Sequence, residues 1–214
     1  MGEGIWPTPV LGVVGILDDV HRATPMSFRA AGRALLLLRG SEAGDATDVA
    51  QEFGSSEYAK ELLGATWGFP PALEIEREHA LQQCVVKLIG LNLLDSAHDC
   101  SEGGLAVALA EAGFGRNAAT PDLGAEVELA SGGLPAAAVL FGEDASRILV
   151  SCDQKNVEAI QKTALEYGVA ADLLGHTATE QLSVTLDGQP VVRAKVSELK
   201  AAWENALERA LQQG

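Results

Sequence analysis

Ser96-Ala97-His98-Asp99-Cys100-Ser101-Glu102-Gly103-Gly104-Leu105 is the stretch whose reading decides the rest of the chain. Leu93 and Leu94 bring an apolar segment up to it. Leu105-Ala106-Val107-Ala108-Leu109-Ala110-Glu111-Ala112 leaves it with helix-forming residues, so the polar positions fall at a strand-to-helix turn. Free N–H groups of a first helical turn, helped by the helix dipole, favour an anion, and the Asp99 carboxylate suits a hard cation such as magnesium. Phosphate with magnesium is the guest such chemistry invites. A purely structural role fits the same residues, with Ser101 as helix N-cap and Gly103 and Gly104 allowing close packing on a sheet. The pattern alone leaves both readings open.

Upstream, Val10 to Leu17 is apolar and β-branched and reads as a strand that ends at Asp18-Asp19. Leu35-Leu36-Leu37-Leu38, inside Arg33 to Arg39, has the length of a buried strand, and the two are expected to pair. Gly40 to Phe53 reads as a small, acidic loop with a short helical turn. Gly54-Ser55-Ser56-Glu57-Tyr58 then opens a helix that Gly64 stops, a second junction bearing serines. After the break at Gly68-Phe69-Pro70-Pro71, apolar residues recur at helical spacing within 72–93. Glu74, Glu76, Arg77, Glu78 and Gln82 take the polar side of that helix, and His79 is expected at the surface.

Downstream, Gly113 to Asp122 reads as a polar connection and Ala125 to Leu129 alternates as a half-exposed strand. Pro135 starts a short helix leading to Gly142-Glu143-Asp144, a third small acidic turn, and then to a strand ending at Ser151. Asp153 caps a helix running to Tyr167, and Val169 to His176 is a strand. Asp187-Gly188 between alternating apolar residues signals a two-residue hairpin, with Pro190 marking an edge strand. Leu199, Trp203, Leu207, Ala210 and Leu211 line one face of a C-terminal helix. Mixed strands and helices with a late hairpin predict one α+β domain over 1–214 with a mixed sheet covered by helices.

The 214 residues are 47% hydrophobic and 21% charged, ordinary for a globular protein. With 30 acidic and 15 basic side chains the net charge is −15, which argues against a nucleic-acid-binding face. A phosphorylated ligand would have to be held by local features against that field. Three scattered cysteines, Cys84, Cys100 and Cys152, fit neither a disulfide framework nor a zinc site, and a reducing cytoplasm is the simplest home. No apolar run reaches the roughly 18 residues that span a bilayer. Met1 to Pro9, rich in Gly and Pro, reads as an extended lead-in and former interdomain linker.

Three segments together resemble one family: Pro7-Thr8-Pro9-Val10-Leu11-Gly12-Val13-Val14-Gly15, Gly54-Ser55-Ser56-Glu57-Tyr58, and His98 to Glu111. Their order and spacing resemble the last domain of phosphoribosylformylglycinamidine synthase, over essentially the whole chain. The His-Asp-x-Ser-x-Gly-Gly piece is also similar to aminoimidazole ribonucleotide synthetase and its ATP-binding relatives. The resemblance implies a fold like the C-terminal domain of that synthetase. It also implies that the complete enzyme uses ATP, magnesium and glutamine-derived ammonia to convert formylglycinamide ribonucleotide into its amidine. By the same resemblance Asp99 stands at a magnesium-ligand position, and Ser101, Gly103, Gly104, Ser55 and Ser56 at nucleotide or phosphate positions.

Gly142 and Glu143 stand where a sister domain carries a substrate-contacting Glu-Ser turn, and Asp144-Ala145 departs from that pattern. No catalytic residue is assigned, because the family's catalytic histidine and most ligand-binding residues lie on parts of the enzyme this chain lacks. The isolated chain is therefore expected to be catalytically silent and to hold neither ATP nor magnesium by itself. Its expected partners are the missing ATP-binding and C-terminal-like domains and a glutaminase, with self-association through surfaces those domains would cover. A non-catalytic scaffold in that complex, or a domain of another enzyme of the superfamily, is the alternative.

Overall fold

The computed structural model describes residues 11–40, 46–115 and 120–213. Its centre is β1 (Ala34–Arg39), the four-leucine strand, buried along nearly its whole length. Flanking arginines anchor its ends. Arg33 pairs with Asp95 at 3.2 Å and Asp153 at 2.8 Å, and Arg39 with Asp172 at 2.7 Å. β2 (Ser96–Asp99), β3 (Gly124–Leu129), β4 (Arg147–Cys152), β5 (Ala170–Ala178), β6 (Gln181–Leu186) and β7 (Gln189–Lys195) complete a sheet of order β2-β4-β1-β5-β3-β6-β7. All pairings are antiparallel except β3 with β6, so the sheet is mixed, as expected.

Helices cover both faces, because alternate residues of β1 point to opposite sides. Leu35 and Leu37 pack with α4 (Gly104–Gly113), α5 (Ala136–Phe141) and the start of α7 (Val196–Glu204). Leu36 and Leu38 pack with α3 (Ile75–Gly90) and α6 (Val157–Glu166). Asp153 accepts from the Lys155 N–H and caps a short turn at 154–156 rather than α6 itself, which starts at Val157 after Asn156, whereas His79 is exposed as the sequence predicts. α1 (Ala46–Phe53) and α2 (Glu57–Leu62) form a lobe beside α5, joined by ring contacts of Phe53 with Tyr58 and Trp67, and of Tyr58 with Phe141. Asp187 (φ 50°) and Gly188 (φ 75°) make the hairpin turn between β6 and the edge strand β7.

Two expectations are corrected. Residues 11–17 form no strand, and Leu11, Val13, Val14 and Ile16 are 88–97% exposed. The expected partner of this run is not available: β1 is already bonded to β4 on one side and β5 on the other, leaving no free ladder on β1. The C-terminal helix is broken at Asn205 into α7 and α8 (Ala206–Gln213). Only the start of α7 is buried. Trp203 rests on Phe114 but is 61% exposed, and Leu207 and Leu211 face solvent because no other element among the described residues covers them. The lead-in at 1–9 lies outside the described residues, as do Val10 and parts of the loops at 41–45 and 116–119.

Candidate functional site

The strand-to-helix turn forms where it was expected. The Cys100 N–H donates to the Arg147 carbonyl, carrying the β2–β4 ladder one residue past Asp99, and α4 then starts at Gly104. Ser101 is not the helix cap. Gly103, in the left-handed region (φ 78°), holds that position with no side-chain cap, and Ser101 contributes only its carbonyl, which accepts from the Gly104 N–H. Both glycines are required by close approach. A Cβ at Gly103 would overlap the Val107 side chain, and one at Gly104 would overlap the carbonyl of Gly142. The second contact brings the Gly142-Glu143-Asp144 turn onto the start of α4.

Glu143 then supplies what Ser101 does not. Its Oε1 accepts from the Gly103 N–H at 2.8 Å and from the Glu57 N–H, at the start of α2, at 2.9 Å. One carboxylate oxygen thus joins all three turns singled out in the sequence. It also occupies a donor that an incoming phosphate would otherwise use. Ser56, nearly fully buried, caps its own helix: its Oγ accepts from the Ala59 N–H and donates to the Phe53 carbonyl. Ser55 is exposed, with its hydroxyl donating to the Glu52 carbonyl at 2.9 Å.

Asp99, Ser101 and Glu143 line one cleft of about 320 Å³ together with Glu78, Leu81, Asp144, Ser146 and Arg147. Ser55, Ser56, Gly103, Gly104 and Gly142 are outside its lining. The Asp99 side chain is 72% exposed, with Oδ1 3.4 Å from His98 Nδ1, while His98 Nε2 lies 3.1 Å from Glu111 Oε2. The buried Nδ1 makes no hydrogen bond among the described residues. Sequence reasoning missed Arg147, whose guanidinium donates to the Gly142 and Asp144 carbonyls and pairs with the Asp144 carboxylate. It also placed Glu78 simply on a polar helix face, whereas Glu78 accepts a 2.6 Å bond from the Ser146 hydroxyl. The Asp144-x-x-Arg147 spacing was the available signal for the first; nothing local marked the second.

Four carboxylates, Glu78, Asp99, Glu143 and Asp144, line the cleft against the single guanidinium of Arg147, so it repels a bare anion and suits a cation or a cation-bound phosphate. Burial pushes the Cys100 thiol up to about 11, against the opposing charge of Arg147, leaving it neutral and inert at physiological pH. Among the described residues no three His, Cys, Asp or Glu side chains are grouped to hold a metal ion.

The family described as "AIR synthase related protein, C-terminal domain" matches residues 30–187. The chain belongs to that family. AIR synthase related relatives similar along nearly its whole length include the phosphoribosylformylglycinamidine synthase subunit PurL of Moorella thermoacetica, 38% identical over 203 residues, 95% of this chain and 26% of the relative. The same subunit from Anaeromyxobacter dehalogenans strain 2CP-C is 40% identical over 217 residues, covering 98% of this chain and 27% of the relative. The chain thus spans about a quarter of the length of the curated relatives it matches. In fold it is similar to T. maritima PurL complexed with FGAR (TM-score 0.69, 19% identity, 84% of this chain and 30% of that one). It is also similar to T. maritima PurL complexed with ATP (TM-score 0.62, 17% identity, 84% and 27%).

Proposed function

We propose that this AIR synthase related domain is the last domain of a phosphoribosylformylglycinamidine synthase. In that enzyme it would help to convert formylglycinamide ribonucleotide to its amidine with ATP and glutamine-derived ammonia. The carrying observation is the 38–40% identity to PurL subunits along 95–98% of the chain. Asp99 and Ser101 are the ligand-contacting residues in this reading, because they share the acidic cleft and the Ser101 hydroxyl is committed to no cap. Asp99 would add one oxygen to a magnesium ion whose other ligands come from the adjoining domains, and bound magnesium would offset phosphate charge during attack on the amide. Gly103, Gly104, Ser55, Ser56 and Gly142 shape the surroundings, and Glu143 holds backbone rather than substrate.

The adjoining ATP-binding and C-terminal-like domains and a glutaminase are the proposed partners, and the cytoplasm the proposed compartment; among the described residues no helix is long and apolar enough to cross a membrane. Exposed Leu11, Val13, Val14, Leu207 and Leu211 support self-association of the chain when those partners are absent. Gel filtration over a concentration series checks that, a constant monomer counting against it.

A scaffold role is the second reading, favoured by the engagement of the Gly103 and Glu57 N–H groups by Glu143. Asp99→Asn in the complete enzyme separates the two. Weakened retention of magnesium-ATP supports ligand contact, and unchanged nucleotide content with intact folding supports the scaffold.

A further inference from the structure

We propose that Glu143 is a positioning residue that latches the α1–α2 lobe to the Asp99–Ser101 turn, so that the order of one depends on the order of the other. This goes beyond the enzyme assignment and stands whether or not the cleft takes a nucleotide. α2 has six residues, too short to hold itself as a helix, and besides the Ser56 cap and the packing of Tyr58 and Ala59 its first turn is held by the Glu57 N–H bond to Glu143. α4 begins at a glycine with no side-chain cap, and its neighbouring Gly103 N–H is satisfied by the same oxygen. Charge-assisted bonds of this kind are roughly twice as strong as neutral ones, and losing the acceptor leaves both part-buried donors to water.

The latch is itself rigidly mounted. Arg147 grips the Gly142 and Asp144 carbonyls on either side of Glu143, the Gly104 backbone packs directly on Gly142, and Tyr58 lies against Phe141 with ring centroids 4.9 Å apart. A carboxylate fixed in this way cannot follow one donor without leaving the other. Pressure on the lobe, which exposes Leu62 and Leu63 to any neighbour, is therefore felt at Ser101 and Asp99.

Amide hydrogen exchange followed by mass spectrometry on the 214-residue chain tests the latch. Glu143→Ala is expected to speed exchange about tenfold in residues 56–62 and 101–107 together, with β1 and α6 unchanged. Glu143→Gln keeps a neutral carbonyl acceptor and is expected to restore most of the protection, leaving a rise of about threefold in both segments. A rise in only one segment, no rise in either, or a uniform rise that includes β1 and α6 overturns the proposal. If the alanine variant does not fold, the glutamine variant decides by the same comparison of two segments.

Discussion

Two loop-to-helix turns in this chain carry serine ahead of a helix, and they use it in opposite ways. At α2 the serine turns inward: Ser56 closes the helix with its own hydroxyl and is lost to any ligand. At α4 the cap position falls to Gly103, a carboxylate 40 residues away satisfies the N–H, and the Ser101 side chain stays exposed on a cleft. A hydroxyl before a helix is thus a cap or a free group according to whether something else reaches the first turn. Here Glu143 decides.

Perturbing the two turns separately sharpens that contrast. The largest effect is expected at Gly104→Ala, where a left-handed backbone (φ 63°) and the Gly142 carbonyl both exclude a Cβ. Urea denaturation should show a loss of about 3 kcal/mol or more, or no folded protein. Ser56→Ala removes a buried cap and should cost about 1–2 kcal/mol in the same measurement. Ser101→Ala, by contrast, removes no cap and should stay within about 0.5 kcal/mol of wild type. A loss at Ser101 as large as that at Ser56 would break the comparison. The smallest signal is expected from Cys100: buried, with its pKa pushed up to about 11 by desolvation, it should resist a thiol reagent at pH 7.5 until the chain unfolds. Rapid native labelling would show that the turn opens far more readily than its packing implies.

Much of this architecture was legible because the signals are local. Four leucines between arginines can hardly be anything but a buried strand, Asp187-Gly188 carries its own turn geometry, and Asp153 caps the turn into the helix that follows it. The run at 11–17 has the composition of a strand too, but composition cannot reveal that both edges of β1 are taken. Trp203, Leu207 and Leu211 have helical spacing, yet burial needs a second layer that the sequence does not announce. The candidate site divided along the same line. Asp99 and Ser101 could be picked out from neighbours in sequence, whereas the grip of Arg147 on the 142–144 turn, the reach of Glu143 to Gly103 and Glu57, and the Glu78–Ser146 bond are tertiary facts.

The position of β1 also constrains how the chain can be made. Residues 34–39 are flanked only by 147–152 and 170–178, so this strand, once synthesised, waits for more than a hundred further residues before either of its ladders can close. Such non-local closure slows assembly, and a nascent chain stalled before residue 147 carries a four-leucine strand with neither of its ladder partners yet made. Cutting the finished protein in the Gly132-Gly133 turn should therefore yield two pieces that fold only when mixed, each supplying the strands the other lacks.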